Sequence, residues 1–239
     1  MRARTSTDGP VWAASLLALA LAGGVAEAQQ DRPLFNGKDL DGWVAEGRAD
    51  YKDETGRLRP VWSVQDGLLT CAGNGYGFLR YDKRVFSDFA LHVEYRMAPR
   101  CNSGIGIRTL PFDPKLSQET RPSYYGYEIQ LLDDFGKPPD KHSSGSLYRY
   151  VAPRINAVKP ALQWNAVDVE CVGPRIRIQI NGEEVINVDQ RTVPEIKSKP
   201  LRGYVCLQNH GGNIEFRNLR IREIKAAAPK PAAARGINP

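Results

Sequence analysis

Apolar and polar residues alternate along most of this chain in short runs, and the runs predict strands. The clearest lies at 89–97, where Phe89, Leu91, Val93, Tyr95 and Met97 alternate with Ala90, His92, Glu94 and Arg96, the period-two pattern of a half-buried strand. His92 falls on the polar side and reads as a surface residue paired with neighbouring charges. Further runs at 61–64 and 68–71 flank Asp66-Gly67 and predict a hairpin, as do 175–180 and 183–188 around Asn181-Gly182, because Asp-Gly and Asn-Gly suit the type I′ turn. The last run, 213–224, begins with Ile214 and Phe216 in phase and resumes with Leu219 and Ile221 in the other phase, which predicts a β-bulge at Arg217-Asn218. After residue 28 no sustained 3.6-residue apolar period occurs. A dozen or so short strands separated by turn residues predict an all-β fold, and a two-sheet jelly-roll sandwich is the expected architecture.

Two runs carry polar groups that a solvated strand face would not need. In 102–108, NSGIGIR, Ile105 and Ile107 share one side while Asn102, Gly104, Gly106 and Arg108 share the other; glycines between an amide and a guanidinium suggest a trough where a ligand approaches the backbone, or else a bulge. In 127–132, Tyr127, Ile129 and Leu131 face one way, and Glu128, Gln130 and Leu132 the other. A loop holding His142 follows, and a strand at 203–210 sets Tyr204, Cys206, Gln208 and His210 in phase. Asp133 and Asp134 precede Gly136 and read as turn formers, at least in part. Trp43 reads as a packing residue of a segment, 31–43, that straps an edge of the domain.

Composition narrows the partners. Arg2 and Arg4, the apolar run 11–25 and Ala26-Glu27-Ala28 form a signal peptide over 1–28, so the mature chain is expected to be periplasmic or secreted, without a membrane span. An Ala/Pro-rich tail, 225–239, reads as disordered, leaving one domain over 29–224. The net charge is +6, but Lys225, Lys230 and Arg235 of the tail supply half of it, and no basic stripe supports a nucleic-acid partner. Cys71, Cys101, Cys171 and Cys206 contain no CxxC spacing, which argues against a zinc ribbon; one disulfide or none is expected.

LFNGKDLDGW at 34–43, NSGIGIR at 102–108, GYEIQLLDD at 126–134, GSLYRYVAP at 145–153, WNAVDVECVGPRIRIQINGE at 164–183 and RGYVCLQNHGGNIEFRNLRIRE at 202–223 form an ordered series. It resembles the 3-keto-disaccharide hydrolase domain family of exported bacterial proteins. That resemblance implies the concanavalin A-like lectin/glucanase fold, a carbohydrate substrate oxidised at C3, and a polar site to which Asn102, Arg108, Glu128, Gln130, His142, Gln208, His210 and Arg217 correspond. Where many relatives read Gln-Asp-His, this chain has Gln208-Asn209-His210, so an acidic role at position 209 is absent. Glu128-x-Gln130-x-x-Asp133 also departs from the paired carboxylates of retaining β-glucanases, which disfavours double displacement.

The expected chemistry is therefore elimination. Glu128 or His142 would serve as base, Arg108 or Arg217 with Asn102 would stabilise the oxyanion, His210 would donate a proton, and Gln130 and Gln208 would bind substrate. Glu128 and His142, with Asp133 or Asp134, are also the groups expected to hold a divalent cation if one is used. The competing reading is a lectin-like carbohydrate-binding module using Tyr124, Tyr125, Tyr148 and Tyr150 as stacking platforms; a third is a structural domain of the cell envelope.

Overall fold

The computed structural model describes residues 30–225; the expected signal peptide and nearly all of the expected tail lie outside them. Fifteen strands follow in order: β1 (Arg32–Pro33), β2 (Trp43–Gly47), β3 (Asp50–Lys52), β4 (Leu58–Pro60), β5 (Trp62–Gln65), β6 (Leu68–Cys71), β7 (Gly77–Tyr81), β8 (Phe89–Met97), β9 (Asn102–Thr109), β10 (Tyr127–Leu132), β11 (Asn165–Val172), β12 (Arg175–Ile180), β13 (Glu183–Asp189), β14 (Tyr204–Asn209) and β15 (Ile214–Glu223). Two one-turn helices, α1 (Ser117–Thr120) and α2 (Pro122–Tyr125), precede β10.

Strands β13-β12-β11-β8-β15-β6-β5, with β1 beside β15, form one antiparallel sheet, and β10-β9-β14-β7-β2 form the other. Their facing sides make a single core. From β8 come Phe89, Leu91, Val93, Tyr95 and Met97, all buried, and from the second sheet Ile105, Ile107, Tyr127, Ile129, Leu131 and Leu207. The alternation in each strand thus became an inner face and an outer face of a sandwich. Both two-residue hairpin turns take left-handed geometry, with Asp66 and Gly67 at φ 50° and 78° and Asn181 and Gly182 at 52° and 86°. The strap also forms: β1 pairs with β15, Trp43 is buried with Nε1–H donating to the Leu34 carbonyl at 2.8 Å, and β2 edges the five-stranded sheet.

The register slip in β15 lies between Arg217 and Arg220, as the phase change predicts, but on the eight-stranded sheet. Arg217 Nε donates to Glu94 at 2.7 Å and its guanidinium stacks 3.9 Å from the Trp164 ring centre. Arg217 is therefore a brace on a different sheet from Glu128 and is corrected as a substrate-binding residue. His92 is paired as expected, with Nδ1 2.7 Å from Asp168 Oδ1.

Candidate functional site

Three adjacent strands of the five-stranded sheet bring the expected polar groups together on its outer side. Glu128 lies opposite Gly106 and Gln130 opposite Gly104 across the β9–β10 ladder. Leu207 pairs with Ile105 in the β9–β14 ladder, which sets Gln208 on the far side of Gly104. The missing side chain at Gly104 is what lets these groups meet. A Cβ there would stand 3.0 Å from Glu128 Cγ and 3.3 Å from its Oε1, so the carboxylate leans across the glycine and accepts a 2.8 Å hydrogen bond from Gln208 Nε2. Gln130 Nε2 donates to Asn102 Oδ1 at 3.0 Å. The trough expected from the two glycines is thus filled by neighbouring side chains, Glu128 over Gly104 and the Cys206 sulfur over Gly106.

This floor opens into a cavity of about 190 Å³ walled by Tyr76, Arg121, Ser123, Tyr148 and His210. Tyr76 comes from the glycine-rich turn between β6 and β7, and its ring packs edge-on against His210 at 5.4 Å and Phe78 at 5.4 Å. Arg121 caps α2 and approaches the Tyr76 ring at 4.9 Å. Ser123 belongs to α2, whose last turn Lys199 fastens by donating to the carbonyls of Ser123, Tyr124 and Gly126. On the other side, Tyr148 N–H donates to the Glu128 carbonyl at 2.8 Å, and Ser146 O accepts from Gln130 N–H, so this loop runs along β10 as its edge.

Glu128 and Gln130 are 4% and 3% exposed, and that burial sets the electrostatics. Desolvation pushes the Glu128 carboxyl up to about 7, against the pull of hydrogen bonds from Gln208 and Ser123 and the positive fields of Arg121 and Arg149. His210 is shifted down by partial burial and by the positive charge of Arg121, and Tyr76 is shifted up by burial and by Glu128. At neutral pH the imidazole is uncharged and the phenol keeps its proton. Three buried atoms here have no protein partner: Gln130 Oε1, Gln208 Oε1 and Arg121 Nε. Two acceptors and one donor left open at a buried site are suited to a ligand carrying hydroxyl and carbonyl groups.

Other expectations need correction. Arg108 is fully buried and does not share the Glu128 face. Between the Tyr204–Thr109 and Cys206–Gly106 pairs, β9 carries one residue more than β14, and Arg108 there takes φ 54°. This bulge breaks the alternation and sends the guanidinium away, to the carbonyls of Ser87 at 3.2 Å and Gly173 at 2.7 Å. His142 is outside the cavity wall; its side chain is 62% exposed, and its ring meets Tyr148 edge-on at 5.2 Å. It does not join Glu128 as a base or as a metal ligand, and among the described residues no three His, Cys, Asp or Glu side chains are grouped to hold a metal ion. Asp134 is buried and its side chain accepts from Ser144 N–H, while Asp133 accepts from Arg100 N–H; the turn itself is closed by Lys137 N–H donating to the Asp134 carbonyl at 3.0 Å. Asn209 points opposite to Gln208 and donates to the Asn74 carbonyl at 2.9 Å, so the missing acid at 209 does not alter the cavity.

Sequence reasoning missed Tyr76, Arg121 and Ser123 as wall residues and weighed Tyr148 only as a stacking platform. An aromatic isolated within Gly73-Asn74-Gly75-Tyr76-Gly77 was the available signal for the first; Arg121 and Ser123 offered none, since they reach the site only through the 110–126 excursion. A larger hollow of about 810 Å³ lies by the β3–β4 hairpin on the eight-stranded sheet. Its charges are mutually neutralised, Arg59 with Asp53 and Arg96 with Glu215, and it holds no group comparable to Glu128.

The solved structures similar to this chain include three proteins of Parabacteroides distasonis, each described as a "putative glycosyl hydrolase". One is 22% identical with a TM-score of 0.65, covering 80% of this chain and 93% of its own. A second is 25% identical with a TM-score of 0.63, covering 82% and 100%. A Bacillus subtilis protein of unknown function with a galectin-like fold, 13% identical with a TM-score of 0.51 over 81% and 94% of the two chains, shares the fold alone. The architecture is thus the concanavalin A-like sandwich. No curated protein matches the chain. The 3-keto-alpha-glucoside-1,2-lyase-like domain matches residues 30–222, nearly the whole of what the structure describes, and the chain belongs to that family.

Proposed function

We propose that this protein cleaves the glycosidic bond of glycosides oxidised at C3, by elimination followed by hydration. The observation that carries the reading is Glu128: a buried carboxyl tuned to about 7, beside two amide oxygens and an arginine nitrogen that lack protein partners. A binding module gains nothing from a carboxyl held near neutrality, whereas a general base does. Family membership supports a carbohydrate as substrate.

A carbonyl at C3 acidifies the proton on C2. Glu128 takes that proton, and the electron pair passes to the C3 oxygen as an enolate, stabilised by Asn102 and Arg121 in place of Arg108 and Arg217. The enolate collapses, C3 regains its carbonyl, a C1–C2 double bond forms and the C1–oxygen bond breaks. The leaving oxygen needs a proton, and the Tyr76 hydroxyl is better suited than a neutral His210 to supply it. Water then adds at C1, its released proton restoring the Tyr76 hydroxyl, while Glu128, its carboxyl proton exchanged with solvent, protonates C2, giving a 3-keto sugar and an alcohol. Gln130 and Gln208 accept hydrogen bonds from sugar hydroxyls.

The test is incubation of the mature protein with a 3-keto-glucoside and its unoxidised parent in deuterated water. Cleavage of the keto form alone, with deuterium at C2 of the early product, is expected. Cleavage without C2 label would return direct displacement, and binding without cleavage would establish the lectin-like module. The charged start, apolar run and Ala26-Glu27-Ala28 support export, so the substrate would be met outside the cytoplasm; an exported form whose mass begins at Gln29 checks this.

A further inference from the structure

We infer that Arg149, together with Arg121, reads a negative charge on the part of the substrate that projects from the cavity mouth, so that the preferred substrates are glycosides whose second unit carries a carboxylate. This rests on the glycoside-cleaving reading and adds the class of the leaving group.

Many arginines of this protein are neutralised by an acid: Arg59 by Asp53, Arg96 by Glu215, Arg177 by Glu184, Arg191 by Asp189 and Arg217 by Glu94. Among the described residues, Arg121 and Arg149 have no carboxylate within ion-pair distance. Both guanidinium groups nevertheless converge on one aromatic ring, that of Tyr124, at 5.6 Å and 4.4 Å from its centre. Arg121 also lines the cavity and has a buried Nε without a partner. Arg149 stands outside the wall, exposed, immediately after the wall residue Tyr148.

The backbone at Arg149 is held in a conformation that side chains rarely adopt. Its φ is 75°, in the left-handed region where a residue with a Cβ is strained, and its N–H is fixed by the Lys141 carbonyl at 2.8 Å. The loop thus sets an unneutralised arginine beside the mouth at some cost. The acid nearest in sequence, Asp140, is occupied by the His142 N–H and the Ser143 hydroxyl. A guanidinium presents paired donors that match a planar carboxylate, and the Tyr124 ring holds the two guanidinium groups together. A uronic acid as the leaving unit supplies the carboxylate that both arginines lack.

The test is calorimetric binding of cellobiose and of the same-linked disaccharide with glucuronate at its reducing end. Neither is oxidised at C3, so the readout does not depend on turnover. The acidic sugar is expected to bind about tenfold or more tightly, as charge-assisted hydrogen bonds imply. Arg149→Gln, checked for an unchanged melting temperature, should abolish that advantage, Arg149→Lys should restore part of it, and added salt should shrink it. Equal affinities, no measurable binding of the acidic sugar, or a preference that survives in Arg149→Gln would overturn the inference. Failure of the wild-type protein to cleave the 3-keto forms of both disaccharides would instead count against the elimination reading, and the carboxylate preference would then stand as a property of binding alone.

Discussion

At Glu128 the burial that would suit the proposed base opposes stability. With its carboxyl raised from an ordinary 4.5 to about 7, the rate should climb as the pH rises through about 7, because only the ionised form accepts the C2 proton. The stability linkage has the opposite sign. A group whose pKa is raised on folding contributes fully below its unfolded value, near 4.5, and that contribution is lost as the pH rises through about 7. Above neutrality the buried charge should cost on the order of a few kcal/mol. Glu128→Gln removes the charge while keeping an oxygen that can accept from Gln208. It is expected to lower kcat by roughly 10² to 10⁴ and to raise Tm at pH 8 while leaving it nearly unchanged at pH 4. A variant that retains the rate would place the base elsewhere.

Strand alternation explains what was legible at the level of elements and what was not. Glu128, Gln130, Asn102 and Gln208 could be placed on one surface from sequence because β9, β10 and β14 keep their period there. Arg108, four residues from Gly104, was misplaced because one extra residue in β9 turns it over; the glycines of NSGIGIR allowed a bulge as well as a trough, but did not show which residue it would displace. Arg217 was misplaced for another reason: its bulge is visible in the phase slip, but which sheet receives the strand is a matter of topology. The wall residues Arg121 and Ser123 lie in an irregular excursion, where no period carries information. The consequence for Arg108 can be measured. Arg108→Met should leave the carbonyls of Ser87 and Gly173 without this donor and cost on the order of 3 kcal/mol, lowering the denaturation midpoint while kcat/KM of the folded protein changes less than twofold. A large loss of kcat/KM without loss of stability would return Arg108 to the site.

Across the whole molecule, the two sheets divide the work, one outer face carrying the cavity and the other arginine–acid pairs such as Arg96–Glu215 and Arg217–Glu94, while the shared core supplies the cohesion. No covalent link contributes: Cys71, Cys101, Cys171 and Cys206 are all free and buried. For a chain exported as proposed this calls for a reason, since that environment favours disulfides. Three of the four sit on different strands, β6, β11 and β14, and Cys101 lies just before β9. Each is used as a small apolar residue; the Cys206 sulfur, for instance, occupies the notch over Gly106. Burial also withholds the reactive thiolate, lifting Cys71, Cys101 and Cys171 to about 12 and Cys206 further still. The thiols should therefore be protected by folding itself. A thiol-reactive dye is expected to label none of them at neutral pH in the folded protein and all four after denaturation without reductant, and dithiothreitol should leave Tm unchanged. Fewer than four reactive thiols in the denatured, unreduced chain, together with a Tm lowered by dithiothreitol, would reveal a disulfide and a core drawn together differently from the one described.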